Sequence, residues 1–204
     1  MSSRSGLGEY LTSPESFPPS RVINYDEKFV SIYDKYPKAS IHALLLPRDP
    51  AWNLLHPFEA LEDPSFLAEV KEHANSLKAS VAGELKRRYG GKEATERDWL
   101  NEVKVGIHAH PSMNHLHIHI ISVDNFSVSM KTRRHYNAFN TPFFIPLDDF
   151  PLSPDDPRLH PGKRGYLRRE LRCWKCGEEF CSGNSMAKLK THLEAEFEEW
   201  KKGR

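Results

Sequence analysis

Seven consecutive residues, His115-Leu116-His117-Ile118-His119-Ile120-Ile121, constrain the fold of this chain more than any other segment. Side chains of an extended strand alternate between faces, so Leu116, Ile118 and Ile120 point one way and the three histidines the other. The apolar set needs a core beneath it. The imidazoles then form a row on the opposite face, spaced by about 6.6 Å. Imidazole can attack, donate and accept protons near neutral pH, so such a row reads as a reactive face rather than a solvated one. Zinc chelation by His-x-His is the sharper rival. That reading lacks an adjacent carboxylate or further ligand in the sequence.

The rest of the chain supplies the sheet and its cover. Val22 to Asn24, Phe29 to Tyr33, Ile41 to Leu46, Val103 to Ile107 and Leu116 to Val123 read as strands, rich in β-branched and apolar residues. Asp63-Pro64 is a helix start, with Asp as N-cap and Pro in the first turn. Leu67, Val70, Ala74, Leu77, Val81 and Leu85 recur at three- and four-residue spacing, giving one long amphipathic helix that stops before Gly90-Gly91. The expected class is α+β, an antiparallel sheet packed by a long helix. The expected organisation is a tail over 1–20, with Leu7, Tyr10 and Leu11 in a short helix, a catalytic domain over 21–145, a Pro-rich linker over 146–159 and a small domain over 160–204. No apolar run approaches the roughly 20 residues that span a bilayer, so no membrane contact is expected. The Ser- and Pro-rich first 20 residues lack the apolar core of a signal peptide, which predicts an intracellular protein with thiols or metal ligands rather than disulfides.

The small domain carries a metal-ligand pattern. Cys173 and Cys176 form a Cys-x2-Cys knuckle, and Phe180 and Leu189 occupy the core positions of a two-Cys two-His finger. His192 follows on a helix for which Asn184 is the expected N-cap. Glu196 lies one turn beyond His192 on the same face, where such a finger places its second histidine. Spacing favours Cys173, Cys176, His192 and Glu196 as the ligands of one structural zinc. Cys181 is the competitor for the fourth place. It directly follows Phe180, and strand alternation turns it away from the metal.

Charge is unevenly spread. Residues 1–130 carry 14 Lys and Arg against 17 Asp and Glu, whereas residues 131–204 carry 15 against 11. From Lys163 to Lys175 the only acid is Glu170. A basic end on a nearly neutral chain points to a local polyanion contact, with a solvated surface as the plain alternative.

The histidine row resembles the signature of the histidine-triad (HIT) nucleotide hydrolases and transferases. Asp34-Lys35-Tyr36-Pro37, followed by His42 opening an apolar strand that ends in Pro47, agrees with that family as well. Tyr36-Pro37-Lys38-Ala39, Val105-Gly106-Ile107-His108-Ala109, Pro111-Ser112-Met113 and Arg134-His135-Tyr136-Asn137-x-Phe139-Asn140-Thr141 are similar to its aprataxin branch. The resemblance runs from about Val22 to the C-terminus and includes the finger, which departs from the branch pattern in having Glu196 for a histidine. It implies a HIT-like antiparallel sheet with a C-terminal zinc finger, and hydrolysis that removes AMP from 5′-adenylated DNA through a covalent nucleotidyl-histidine. It implies His117 as nucleophile, His119 orienting it, His115 shaping the phosphate site and His108 protonating the departing phosphate or stabilising its charge. It implies Asp34, Lys38, His42, Ser112 and Met113 as nucleotide-binding residues. It also implies Lys131, Arg133, Arg134, His135, Lys163, Arg164, Arg168, Arg169 and Arg172 on nicked or double-stranded DNA, with AMP as product. Catalysis would need no metal, and the nucleus would be the main compartment, with the cytoplasm as a second. By analogy, the N-terminal helix would be a wedge at the DNA end. A hydrolase of small nucleotides such as dinucleoside polyphosphates, and a non-catalytic zinc-finger adaptor, are the alternatives. The basic finger argues against the first and the intact triad against the second.

Overall fold

A computed structural model describes residues 3–91 and 97–202. Its helices are α1 (Gly8–Thr12), α2 (Pro50–Asn53), α3 (Pro57–Ala60), α4 (Pro64–Tyr89), α5 (Arg133–Asn140), α6 (Pro161–Arg164) and α7 (Ser185–Lys201). Its strands are β1 (Val22–Tyr25), β2 (Phe29–Tyr33), β3 (His42–Pro47), β4 (Val103–His108), β5 (Ile118–Ser122), β6 (Phe144–Pro146), β7 (Leu171–Arg172) and β8 (Glu179–Phe180). The first six form one antiparallel sheet in the order β1-β2-β3-β5-β4-β6, and β7 pairs with β8. The class is the α+β arrangement expected.

The long helix follows its local signals. The Asp63 side chain accepts from the Phe66 N–H, Pro64 stands in the first turn, and the helix ends at Tyr89 before Gly90. Its buried stripe of Leu67, Val70, Ala74, Leu77, Val81 and Leu85 packs on one sheet face against Ala43, Leu45, Ile107, Ile118 and Ile120. The opposite face is covered in two places. Leu7, Tyr10 and Leu11 of the N-terminal segment pack on Val22, Val30, Ile32, Leu44 and Leu46. Phe139 of α5 joins Ala39, Ile121 and Phe144. The N-terminal segment is thus an integral part of the sheet's cover. Its three apolar residues are buried.

Two elements differ from the expected strands. The histidine strand is shorter than Leu116 to Val123, beginning at Ile118. The Leu116 N–H donates to the Asn53 carbonyl at 2.8 Å instead of to a strand partner. The stretch read as linker begins inside the sheet, because β6 pairs with β4. Leu147 and Phe150 then bury in the main core. At the far end, Phe197 and Trp200 of α7 join that same core. Arg97 lies between the Trp99 and Trp200 rings, 4.5 and 4.4 Å from their centroids, and donates to Glu102 at 2.9 Å. Trp200 Nε1 donates to the other Glu102 oxygen at 2.7 Å, so the finger helix is anchored near the start of β4.

Candidate active site and metal centre

The alternation expected at residues 115–121 holds although only part of it is strand. Leu116, Ile118 and Ile120 are buried in the α4 core. His119, which pairs with Leu44 and Gly106, lies on the other face together with His42 at the start of β3. The His42, His108 and His117 ring centroids are 5.2, 4.3 and 4.9 Å from that of His119. Four imidazoles from three strands and one loop therefore meet at one point. Gly106 makes this possible: a Cβ there would lie 2.3 Å from the Ile145 carbonyl and 2.7 Å from the Phe144 ring.

Hydrogen bonds assign the ring protons. His117 Nδ1 lies 2.7 Å from the His115 carbonyl, which can only accept. A neutral His117 therefore carries its proton on Nδ1 and keeps the Nε2 lone pair open. Burial lowers its pKa, against the pull of the His115 carbonyl and Asp34, and so favours that neutral form. The Lys38 backbone N–H donates to His42 Nδ1 at 3.3 Å, leaving the His42 proton on Nε2, 2.9 Å from His119 Nδ1. His119 must then carry its proton on Nε2, which is buried without a partner among the described residues, as is His108 Nε2. Buried polar atoms are normally satisfied, so these two nitrogens mark where a polar ligand would sit.

Burial holds the whole cluster neutral. It takes His42 down to about 4, with Asp34 pulling the other way. His108 and His119 lie well below 6.5 for the same reason, reinforced by neighbouring imidazoles and Lys38. Asp34 Oδ2 is 3.6 Å from His42 Nδ1, and Lys38, itself lowered by burial, bonds through Nζ to the Tyr36 carbonyl. An anionic phosphate would reverse this balance and draw protons onto the imidazoles.

The expected orientation of His117 by His119 is replaced by the His115 carbonyl. His119 meets His117 ring-to-edge at 81° and is hydrogen-bonded to His42 instead. The His115 ring packs against Gly8, where a Cβ would come within 3.1 Å. Ser112 is exposed and its carbonyl accepts from Arg4 at 3.2 Å, while Met113 packs beside the N-terminal apolar cluster. Sequence reasoning assigned no role to Phe139. Its ring lies edge-on to His42 and His119 at 5.4 and 5.3 Å, and 4.7 Å from His108. Its spacing from Tyr136 was the available signal. Asp34, His42 and His119 offer metal-ligating atoms close together. The 2.9 Å His42–His119 hydrogen bond, however, occupies the atoms that would have to turn to a metal.

Cys173, Cys176, His192 and Glu196 converge so that one ligand atom from each lies within 4.8 Å of the others. Cys176 Sγ is 3.2 Å and Glu196 Oε1 3.3 Å from His192 Nε2. Tetrahedral zinc with bonds of 2.0–2.3 Å spaces its ligands by about 3.3–3.8 Å, so this donor set fits. Glu178 stands 3.3 Å from His192 Nδ1, a carboxylate placed to hold the ring by its other nitrogen. Gly177, at φ +79, makes the knuckle turn. Cys181 is exposed and outside the cluster. Asn184 precedes α7 as expected, but it is left-handed and caps without a side-chain bond.

Residues 11–135 match the family described as scavenger mRNA decapping enzyme C-terminal binding, and residues 140–199 match the C2HE / C2H2 / C2HC zinc-binding finger. The aprataxin-like protein of Schizosaccharomyces pombe is 37% identical over 97% of this chain and 82% of its own length. This chain belongs to the aprataxin family. The aprataxin-like protein of Saccharomyces cerevisiae is also 37% identical, over 97% of both chains. Among solved structures, the crystal structure of an aprataxin ortholog, Hnt3, in complex with DNA aligns with a TM-score of 0.82 at 34% identity, covering 97% of this chain and 96% of that one. The finger family is described as including a C2HE form, which agrees with Cys173, Cys176, His192 and Glu196.

The basic residues expected on DNA divide into two groups. Lys131, Arg134, Lys163, Arg164 and Arg168 are exposed, and so are Arg169 and Arg172, although these two also engage neighbouring groups of the chain. Arg133 is turned to the finger, reaching Glu170 at 3.1 Å and Ser185 at 3.2 Å. Arg169 lies 4.7 Å over the Tyr166 ring, and Arg172 donates to the Gly177 carbonyl at 2.9 Å. His135 is half-buried near Lys38, whose charge, with those of Lys131 and Arg134, adds to burial in lowering its pKa.

Proposed function

We propose that this chain is a DNA-repair hydrolase that removes AMP from 5′-adenylated DNA ends. The observation that carries the reading is His117, buried with its proton held by a backbone carbonyl and its other nitrogen open beside two unpartnered imidazole nitrogens. Nε2 of His117 attacks the AMP phosphorus. A P–N bond forms, the P–O bond to the DNA 5′-phosphate breaks, and the DNA leaves with its phosphate. Water then attacks the same phosphorus, the P–N bond breaks, and AMP departs. Phosphoryl transfer depends mainly on positioning and on neutralising non-bridging oxygens. His119 Nε2–H and Lys38 supply that neutralisation. His108 donates to the leaving phosphate once substrate charge has raised its proton affinity.

Half-buried Lys38 stands at the pocket, exposed Lys131 and Arg134 share the surroundings of His135 with it at the start of α5, and exposed Lys163, Arg164 and Arg168 precede the finger. This arrangement supports duplex DNA as the leaving group, as does the related DNA complex. One zinc per chain would sit in the finger, and the chemistry would need none. The nucleus, with the cytoplasm as a second compartment, is the expected location.

Adenylated nicked duplex and a dinucleoside polyphosphate, assayed side by side, test the reading. Wild type should prefer the DNA, and rapid quenching should trap labelled AMP on the protein. His117→Ala should remain folded and lose both turnover and the trapped adduct. Full activity in that variant, or preference for the polyphosphate, would overturn the assignment.

A further inference from the structure

Helix α5 touches both functional centres with residues one turn apart. Tyr136 faces the finger. Its hydroxyl donates to the Arg172 carbonyl at 2.9 Å and accepts the Trp174 N–H at 2.9 Å. It thereby brackets the metal ligand Cys173 on both sides. Its ring is buried with Leu171, Cys173, Phe180 and Leu189. Three residues on, Phe139 faces the pocket and packs on His42, His108 and His119. The Asn137 side chain fixes the same helix to the Arg169 carbonyl at 2.8 Å. The finger's other anchor, through Trp200, Arg97 and Glu102, sits near the opposite end of β4 from His108. The knuckle and the pocket are thus joined through α5, and the Trp200 anchor holds the finger helix at a separate point.

We propose that Tyr136 is a positioning residue that couples metal occupancy of the finger to the geometry of the catalytic imidazoles. The finger is then more than a DNA contact: its filled state sets the pocket for substrates that never touch it. The two centres share one short helix held by hydrogen bonds at one end and ring packing at the other. Coupling between sites needs such an element with differential contacts to each. The inference rests on the proposed hydrolase reading for its kinetic arm only.

The test uses the full-length zinc-loaded protein and Tyr136→Phe, which keeps the ring and removes only the hydroxyl. Zinc content and melting temperature are measured first, and the variant should hold its zinc. Two readouts follow. One is the ring-nitrogen NMR signals of His108 and His119 with and without a zinc chelator. The other is turnover of the 4-nitrophenyl ester of AMP, which carries no DNA. In wild type, chelation should move both histidine signals and lower kcat about 5-fold or more, the effect of a barrier raised by about 1 kcal/mol. In Tyr136→Phe, the loaded protein should already show part of that shift, and chelation should add little. Wild-type histidine signals unmoved by chelation would overturn the proposal, as would a Tyr136→Phe response equal to that of wild type. If the histidines respond but the ester is not hydrolysed, the coupling stands and the hydrolase reading fails. If chelation unfolds the wild type, the loaded Tyr136→Phe protein decides alone: unchanged histidine signals there overturn the proposal.

Discussion

Acid should destabilise this protein through its buried histidines, and His42 gives the magnitude. Its side chain is 1% exposed, so solvent screening is negligible. Burial carries its pKa from 6.5 to about 4. At pH 7 neither the folded nor the unfolded form binds much proton, and the stabilising contribution of the neutral site is intact. At pH 5 the unfolded ring is almost fully protonated while about a tenth of the folded ring is, which costs about 2 kcal/mol. The sign follows from the depressed folded value: stability is present above 6.5 and is lost as pH falls toward 4. For a chain of this size, 2 kcal/mol lowers the melting temperature by roughly 4–8 °C. His108, His117 and His119 are lowered in the same direction and add to the loss.

The assay is denaturant unfolding at pH 7 and pH 5 for wild type and His42→Gln. Acid also protonates the metal ligands, but it does so in both proteins, so that contribution cancels in the difference. Wild type should lose about 2 kcal/mol more than the variant between the two pH values. His119 is hydrogen-bonded to His42, so part of its own shift will follow the substitution and the difference will be an upper value. Equal losses in the two proteins would refute the reasoning, because His42 would then titrate alike folded and unfolded.

Two further outcomes are expected. Cys181→Ser should retain about one zinc per chain by elemental analysis, whereas Glu196→Ala should bind it more weakly; the reverse pattern would move the fourth ligand to Cys181. Neutralising Lys163, Arg164 and Arg168 together should weaken binding to nicked duplex and flatten its log–log salt slope by up to about 2.7, at roughly 0.9 per phosphate contact. Hydrolysis of a small AMP ester should be unchanged, and an equal loss on both substrates would assign the segment to folding.

Most of the scaffold was legible because its signals are local. Asp63-Pro64 and Gly90 bound α4 by capping chemistry that needs no partner. Short runs rich in β-branched and apolar residues located five strands within a few residues. Helix α5 and strand β6 were not read, for different reasons. The α5 stretch has only two large buried apolar residues, Tyr136 and Phe139, and they serve separate cores. Its one local signal is Thr132, whose hydroxyl accepts from the His135 N–H at 3.2 Å. Strand β6 spans three residues and exists because β4 offers an open edge, which no window of sequence encodes.

The candidate site divides along the same line. Which residues meet could be read, because strand period and finger spacing fix side-chain direction. The protonation state of each could not. His117 is set by a backbone carbonyl two residues earlier, and every residue has such a carbonyl. His119 and His42 share one hydrogen bond across 77 positions. Burial does the rest: it keeps four imidazoles neutral at a pH where isolated histidines would begin to charge. A charged cluster would bind a phosphate more strongly but would leave no lone pair on His117 to attack it. The apolar floor under the histidines and the Phe139 ring above them thus serve the chemistry directly, by withholding protons until an anion arrives to draw them in.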